Sequence, residues 1–206
     1  MENRPDPLIA VLISGRGSNL QAIIEAVADG RLRARVAVVV SNRAGAAGLA
    51  HAERAGIETL VLPHGAYATR DAYDRALVEE LRRRRVVLVC LAGFMRLLGP
   101  TFCAAFPNAI LTIHPSLLPA FPGVDAQRQA LEHGVKISGA TVHFVTPELD
   151  AGPIICQAAV PVRDDDTADA LAVRILAEEH KLYPQAIQRI LDGRWRIAGS
   201  RVILDA

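Results

Sequence analysis

Short apolar runs alternate with amphipathic helical segments, and this alternation constrains the fold more than any other feature of the chain. Leu8 to Ile13, Val86 to Leu91 and Ala109 to Ile113 are unbroken apolar runs. Runs of this length are typical of strands buried on both faces of a parallel sheet. Between them, segments such as Arg70 to Arg84 repeat apolar residues at helical spacing. The order predicts an α/β fold, with an open, mostly parallel twisted sheet and helices on both faces.

The remaining predicted elements extend this pattern and then depart from it. The first half should also hold two helices and two short strands, at 19–28, 45–55, 35–40 and 59–62. Further on, strand-like runs at 136–145 and 154–162 are joined by a loop with proline and glycine, which predicts an antiparallel extension of the sheet. A long helix at 167–191 follows an acidic start that suits a helix N-terminus. A hairpin of 195–197 with 201–204 ends the predicted fold.

Length and charge indicate a single globular domain, 1–206, that does not bind nucleic acid. The 206 residues are 51% hydrophobic and 22% charged, which suffices for one sizeable core. Lys and Arg number 23 against 22 for Asp and Glu, so the basic excess of a nucleic-acid-binding protein is missing. The one basic run, Arg82 to Arg85, ends a helical pattern and is best interpreted as a solvated helix face.

Targeting and cysteine signals favour a cytoplasmic protein without membrane contact. No apolar run approaches the roughly 20 residues that a membrane-spanning helix needs. Met1 to Pro7 is polar and has no apolar signal core. The three cysteines show no metal-like pairing.

The run Ser14 to Asn19, Ser-Gly-Arg-Gly-Ser-Asn, separates the first predicted strand from the first predicted helix. Glycines let the backbone turn tightly and expose its N–H groups, and Ser18 or Asn19 could cap the helix. A helix N-terminus with exposed N–H groups binds anions such as phosphate. The run is not the dinucleotide fingerprint, since Leu20 stands at the third glycine position, and it lacks the lysine of a P-loop. An ordinary strand-to-helix turn and a phosphate site both remain open.

His114 and Asp150 each come just past a predicted strand, where open α/β sheets place their ligand crevices. Prolines hold the segment after His114 extended. Alone, His114 is most simply a histidine satisfied by backbone in a turn. With a carboxylate beside it, the imidazole would be favoured in its charged form and could stabilise an oxyanion. His143 is expected to lie within the sheet rather than in the chemistry, and the histidine spacing predicts no metal site.

Two further segments allow two interpretations each. The turn Gly93 to Leu98 combines apolar side chains with the cation of Arg96. It could be ordinary core with a surface arginine, or the wall of a site for a flat, anionic ligand. Glu179 and His180 fall in the predicted long helix, where a solvated helix face is the favoured interpretation.

Taken together, these motifs resemble the phosphoribosylglycinamide formyltransferases. The resemblance extends from Ile9 to about Leu191, and it rests on 12–22, 92–96, 114–119, 142–145 and 149–154. It implies transfer of a formyl group from 10-formyltetrahydrofolate, a folate co-substrate, to the amine of glycinamide ribonucleotide in purine synthesis. It also implies a monomer or homodimer without a metal, with a phosphate-binding half at 1–110 and a catalytic and folate-binding half at 111–206.

The resemblance also implies roles for individual residues. In catalysis, His114 would stabilise the tetrahedral oxyanion, Asp150 would keep His114 protonated and help to move a proton from the amine to the folate nitrogen, and Thr112 would take a place beside them. The residues implied to bind the ribonucleotide are Gly15, Arg16, Gly17, Ser18, Asn19, Gly93, Met95, Pro115 and Glu179. Those implied to bind the folate are Arg70, Leu91, Phe94, Arg96, Leu97, Leu98, Thr146, Pro147, Glu148, Leu149 and Asp150.

The chain departs from the family pattern at three positions. Thr112 stands where Asn-x-His is usual, so a hydroxyl replaces an amide that can donate to the formyl oxygen. Loss of an oxyanion donor can cost roughly a hundredfold to a thousandfold in rate. Asp125 adds a negative charge close to the expected site, and Leu176 stands where some relatives carry glutamine. A weakened or inactive enzyme is therefore one hypothesis.

Three other functions compete with this interpretation. Methionyl-tRNA formyltransferase and formyltetrahydrofolate hydrolase share the formyl-folate module. The first normally adds a C-terminal RNA-binding domain and the second an N-terminal regulatory one, and we expect neither in this chain. A non-catalytic binder of folate or ribonucleotide is the third alternative, motivated by Thr112 and Asp125.

Overall fold

The computed structural model describes residues 5–204. Part of the N-terminal segment predicted to lack a signal core therefore lies outside the described residues. The chain clusters into two compact units, one ending at Leu111 and one beginning at Thr112. The expectation of a single domain stays a prediction, and each unit is described by itself.

The first unit is a parallel α/β arrangement, as predicted. Its strands β1 to β4 follow the order β3-β2-β1-β4, and their pairings are parallel. The strands are β1 Leu8–Ile13, β2 Arg35–Ser41, β3 Thr59–Val61 and β4 Leu88–Leu91. The helices are α1 Ser18–Ala28, α2 Leu49–Arg54, α3 Arg70–Arg83 and α4 Pro100–Ala105, with a short 3-10 helix at His64–Ala66.

The second unit contains the predicted antiparallel extension. Strand β5, Ile110–His114, begins in the first unit and ends in the second. The later elements are α5 Ala126–Glu132, β6 Ile137–Phe144, β7 Ile154–Pro161, α6 Ala168–Leu191, β8 Trp195–Ala198 and β9 Arg201–Leu204. Strand β6 pairs antiparallel with β7, and β8 with β9. Ile154 of β7 pairs in parallel with Arg201 of β9.

Helix α3 shows why these segments form helices. Thr69 accepts a hydrogen bond from Ala72 N at 3.0 Å, which satisfies one of the free N–H groups at the helix start. Tyr73, Leu77 and Leu81 recur at a spacing of four and are buried. Burying a large apolar side chain contributes about 1.5–3 kcal/mol, so this stripe outweighs the weak helix propensity of any single residue.

Three helical features differ from the sequence expectation. The helix predicted at 45–55 forms only at Leu49–Arg54, because Gly48 packs against the backbone of Gly17 and stands outside it. Helices α4 and α5 were not predicted, since six and seven residues are too few to show a clear apolar period. Within residues 5–204, no helix combines the length and apolar character required to span a bilayer.

Candidate active site

The glycine-rich turn leaves the N-terminus of α1 without a side-chain cap. Gly17 is the N-cap, with a positive φ of 75°, and it makes no side-chain hydrogen bond to the helix. The prediction that Ser18 or Asn19 caps the helix is therefore wrong, because both residues lie inside the first turn. N–H groups left open at a helix start form an anion site.

Gly48 holds this turn in place and was missed in the sequence. Its N–H donates to Gly15 O at 2.9 Å. A Cβ on Gly17 would lie 2.6 Å from the Gly48 Cα, and a Cβ on Gly48 would lie 2.8 Å from Ile13 Cδ1. Two backbones that approach this closely require glycine at both positions. The sequence did carry a signal, because glycine is unfavourable inside a helix and Gly48 falls within the segment predicted as helical at 45–55.

Ser14, at the carboxyl end of β1, joins two predicted ligand-binding turns. Its Oγ accepts from Met95 N at 2.8 Å and donates to Asn42 Oδ1 at 2.7 Å. Its backbone N–H donates to Gly93 O at 3.2 Å. Ser14 and Asn42 are both buried. The start of the glycine-rich turn and the start of the 93–98 turn are thus fixed to each other.

The 93–98 turn is partly core and partly open surface. Leu91 and Leu98 are buried, Phe94 and Arg96 are half-buried, and Met95 and Leu97 are exposed. The Arg96 guanidinium lies 4.8 Å from the centre of the Tyr73 ring, a cation–π contact. Burial raises the pKa of Tyr73 to about 12, so this ring stays neutral.

A buried carboxylate closes the same turn. Asp74 Oδ2 accepts from Gly99 N at 2.7 Å, and a Cβ on Gly99 would meet the same oxygen at 2.7 Å. Burial raises the pKa of Asp74, while the nearby Arg96 and Arg70 act in the opposite direction. Arg70 itself is exposed at the start of α3. Asp74 could not be singled out from the sequence, because its partner is a backbone N–H.

A cavity of about 810 Å³ lies along α3 and α4, apart from every predicted site residue. It is lined by Arg75, Val78, Glu79, Arg82, Arg83, Thr101, Ala104 and Ala105. Its opening is broad and its floor shallow, so we do not assign the site to it.

In the second unit, the structure brings His114 and Asp150 together, as expected from their places after two strands. His114 Nδ1 lies 3.5 Å from Asp150 Oδ2, and His114 Nε2 donates to Phe121 O at 2.8 Å. Only 6% of His114 is exposed. Both ring nitrogens therefore face acceptors, one a carboxylate and the other a main-chain carbonyl.

Asp150 is itself fixed by backbone. Its Oδ2 accepts from Gly123 N at 2.8 Å, and its φ of 49° lies in the left-handed region that aspartate tolerates better than most residues. Gly152 makes this return possible, since a Cβ there would lie 1.8 Å from Phe144 O. Gly152, two residues after Asp150, is thus needed where two segments of the backbone approach closely.

His143 lies within β6, as the sequence predicts, and it also lies beside Asp150. Its Nδ1–H donates to Phe144 O at 2.8 Å, and its Nε2 lies 3.8 Å from Asp150 Oδ1. Burial, above all, lowers the pKa of His143, which favours the neutral ring. Asp150 therefore lies between two imidazole rings, those of His114 and His143.

The other predicted residues of the second unit differ in how far they are exposed. Thr112 and Pro115 are half-buried, on β5 and directly after it. Glu179 is buried on α6, so a solvated helix face is the wrong interpretation for it. In the loop after β6, Thr146 is half-buried, whereas Pro147, Glu148 and Leu149 are exposed. Asp125 is exposed, at the N-cap of α5.

No cluster of three or more histidine, cysteine, aspartate or glutamate side chains suited to a metal ion occurs among the residues that the structure describes. The described residues of the site offer an imidazole, a carboxylate and backbone N–H groups. An imidazolium held by a carboxylate can stabilise a developing oxyanion and take part in proton transfer.

Comparison with known proteins identifies the family. The formyl transferase family model matches residues 8–187. Phosphoribosylglycinamide formyltransferase of Escherichia coli (strain K12) is 47% identical over 197 residues, which are 96% of this chain and 93% of that protein.

Solved structures agree with the sequence match. Glycinamide ribonucleotide transformylase 1 from Symbiobacterium toebii is 59% identical, with a TM-score of 0.95, and the match covers 97% of this chain and 95% of that one. A formyltetrahydrofolate deformylase from Pseudomonas syringae is 25% identical, with a TM-score of 0.89, and the match covers 97% of this chain and 66% of that one. The α/β class with a mostly parallel open sheet and antiparallel C-terminal strands is confirmed.

Proposed function

Because the chain belongs to the formyl transferase family, we propose that it is an enzyme that transfers a formyl group from 10-formyltetrahydrofolate to the amine of glycinamide ribonucleotide, in purine biosynthesis. The observation that carries the proposal is the pairing of His114 with Asp150, at 3.5 Å from Nδ1 to Oδ2. An imidazole held by a carboxylate in this way can stabilise the oxyanion through which acyl transfer passes.

In the proposed reaction, the substrate amine attacks the formyl carbon and forms a tetrahedral oxyanion. The bond from that carbon to the folate nitrogen then breaks, and the proton lost by the amine reaches the folate nitrogen. His114 stabilises the oxyanion as an imidazolium. Its Nε2–H donates to Phe121 O in the free protein. When this hydrogen bond breaks, the Nε2–H can donate to the formyl oxygen instead. Asp150 keeps the ring charged and assists the proton transfer.

We assign the phosphate of the ribonucleotide to the N-terminus of α1. The open N–H groups after Gly17 and the positive end of the helix dipole support this assignment. The adjoining residues assigned to the same substrate are Gly15, Arg16, Ser18, Asn19, Gly93 and Met95. Pro115 and Glu179 are assigned to its remaining part, and the burial of Glu179 fits a carboxylate with a structural or ligand partner rather than a solvated one.

We assign the folate to Arg70, to the loop from Thr146 to Asp150 and to five residues in or before the 93–98 turn: Leu91, Phe94, Arg96, Leu97 and Leu98. Exposed Leu97 and half-buried Phe94 offer apolar surface to a flat ring. Arg70 and Arg96 offer charge to the anionic part of a folate. No metal is needed for this transfer, which uses a preformed formyl amide. Cytoplasmic location and a monomeric or homodimeric state stay predictions.

The first experiment measures formyl transfer with purified protein, both substrates, and the variants His114→Ala and Asp150→Ala. General acid–base and oxyanion groups contribute about 10²–10⁴-fold, so each variant should lose at least a hundredfold in kcat. Circular dichroism and thermal unfolding serve as the control for folding. Full activity of either folded variant would contradict the assigned chemistry.

Hydrolysis of formyl-folate is the second candidate, favoured by the similarity to a formyltetrahydrofolate deformylase. The same His114–Asp150 pair could stabilise the oxyanion formed when water attacks. Formate release without ribonucleotide, at a rate equal to formyl transfer, would support hydrolysis. Tight binding of both substrates with no product in either assay would support the non-catalytic alternative.

A further inference from the structure

Thr141 of β6 is fully buried, and its hydroxyl makes three hydrogen bonds. Its Oγ1 donates to Ser116 O at 2.7 Å. It accepts from Leu118 N at 3.0 Å and from Gln157 Nε2 at 3.0 Å. A hydroxyl has one proton and two lone pairs, so the bonding capacity of this group is fully used. Such a complete set at a buried position fixes the geometry of its partners.

Gln157 of β7 fixes the same segment from the neighbouring strand. Its Nε2 also donates to Leu118 O at 2.9 Å. Both backbone groups of Leu118 and the carbonyl of Ser116 are therefore bound by side chains from two strands of the sheet. The segment they hold is the chain that leaves β5 directly after His114.

The held segment leads to the backbone groups that orient the candidate catalytic pair. Ser116 Oγ donates to Ala120 O at 2.5 Å, which fixes the next turn. Phe121 follows, in the left-handed region with a φ of 55°, and its carbonyl accepts from His114. A bulky residue adopts this conformation only where its surroundings impose it. Gly123, two residues later, donates to Asp150.

We propose that Thr141 is a positioning residue for the His114–Asp150 pair, with Gln157 in a supporting role. The proposal rests on the proposed formyl transfer. Thr141 is assigned no contact with substrate, and it acts through Ser116 and Leu118 on the backbone groups of Phe121 and Gly123. Displacement of a catalytic group by about 1 Å can reduce a rate by about a hundredfold.

The test compares Thr141→Val, which keeps the shape and removes the hydroxyl, with Thr141→Ser, which keeps the hydroxyl. We expect Thr141→Val to lower kcat by about tenfold to a hundredfold with little change in the KM for ribonucleotide, and Thr141→Ser to stay near the wild type. Ser138→Ala is the matched control, since it removes another buried hydroxyl from β6, one with no hydrogen-bond partner in the described structure.

A second readout does not depend on turnover. The His114 Nε2–H proton, hydrogen-bonded to Phe121 O, should give a downfield proton NMR signal, assigned by its loss in His114→Gln. The signal should persist in the wild type, Thr141→Ser and Ser138→Ala, and broaden or vanish in Thr141→Val. If the wild type transfers no formyl group, the proposed function fails, while this signal still decides the role of Thr141.

Three results would overturn the proposal. They are a Thr141→Val enzyme with wild-type kcat and an unchanged His114 signal, equal losses in Thr141→Val and Thr141→Ser, and an equal loss in Ser138→Ala. If Thr141→Val does not fold, Gln157→Leu takes its place, because it removes the partner of Leu118 O. It should then give a smaller loss of kcat with the same effect on the signal, and wild-type behaviour would count against the proposal.

Discussion

Thr112 is the residue at which this chain departs furthest from the pattern that its sequence resembles. It is half-buried on β5, two residues before His114, and its side chain offers a single hydroxyl. An asparagine there would add an amide N–H able to donate to the formyl oxygen. Because oxyanion donors matter most in the transition state, the substitution should act on kcat more than on KM.

We expect Thr112→Asn to raise kcat by about tenfold or more, because a lost oxyanion donor costs roughly a hundredfold or more elsewhere. Steady-state formyl transfer measures the effect. Asp125→His, at the exposed start of α5, is compared with it, because Asp125 is a second of the three positions at which the chain departs from the family pattern. Unchanged kcat in Thr112→Asn would show that the threonine hydroxyl suffices.

At the scale of residues, the sequence predicted those functional groups that their chemical character alone marks out, without knowledge of the backbone conformation. His114 and Asp150 stood out because nothing in strand building requires them, and the structure brings them together. His143 could not be assigned to the pair, because its contact with Asp150 depends on the left-handed backbone at residue 150. Thr141 gave no signal either, since its partners are main-chain atoms of a loop.

At the scale of elements, the carboxyl end of β1 has a defined task. Ser14 follows that strand and bonds Met95 N, Gly93 O and Asn42 Oδ1. One residue thus aligns the glycine-rich turn, assigned to the ribonucleotide, with the 93–98 turn, whose residues are assigned to both substrates. Removing the Ser14 hydroxyl leaves the N–H of Met95 without this acceptor and the buried Asn42 Oδ1 without this donor. A buried polar atom without a partner costs about 1–3 kcal/mol.

Ser14→Ala should therefore raise the KM values of both ribonucleotide and folate, by about threefold to thirtyfold, through movement of both turns. Ser41→Ala is the matched control. Ser41 is equally buried at the end of β2, and its Oγ also donates to a carbonyl and accepts an N–H, both of Arg43 in its own turn. If Ser41→Ala changes both KM values as much as Ser14→Ala, the alignment of the two turns is not the cause.

The elements themselves differed in how far sequence could predict them. Long strands and helices such as β1, α3 and α6 were predicted within a few residues, because burial imposes a clear period on many positions. Helices α4 and α5 were not, since they are too short for a period to emerge and depend on packing against α3 and α6. The end of α2 nearest Gly48 was also misplaced, because a contact with Gly17 decides it.

At the scale of the whole molecule, two titratable groups, His143 and Asp166, make stability depend on pH in separate ranges. Burial lowers the pKa of His143, so the unfolded chain takes up its proton at a higher pH than the folded chain. The contribution of His143 to the free energy of unfolding is fully present above about pH 6.5, and it is lost as the pH drops toward the pKa of His143 in the folded chain. The hydrogen bond from Arg174 lowers the pKa of Asp166 to about 2, so its contribution is lost only between about pH 4 and 2.

We expect the free energy of unfolding to fall less between pH 7 and 5 in His143→Gln than in the wild type. Each pH unit between the folded and unfolded pKa values of one group changes stability by about 1.4 kcal/mol, and the variant has no proton to gain at this position. Urea unfolding at several pH values measures the slope. Asp166→Asn is the control, since it should keep the wild-type slope in this range and change the slope only below about pH 4. Equal slopes for His143→Gln and the wild type would mean that protonation of the buried imidazole at 143 does not cause the loss of stability between pH 7 and 5.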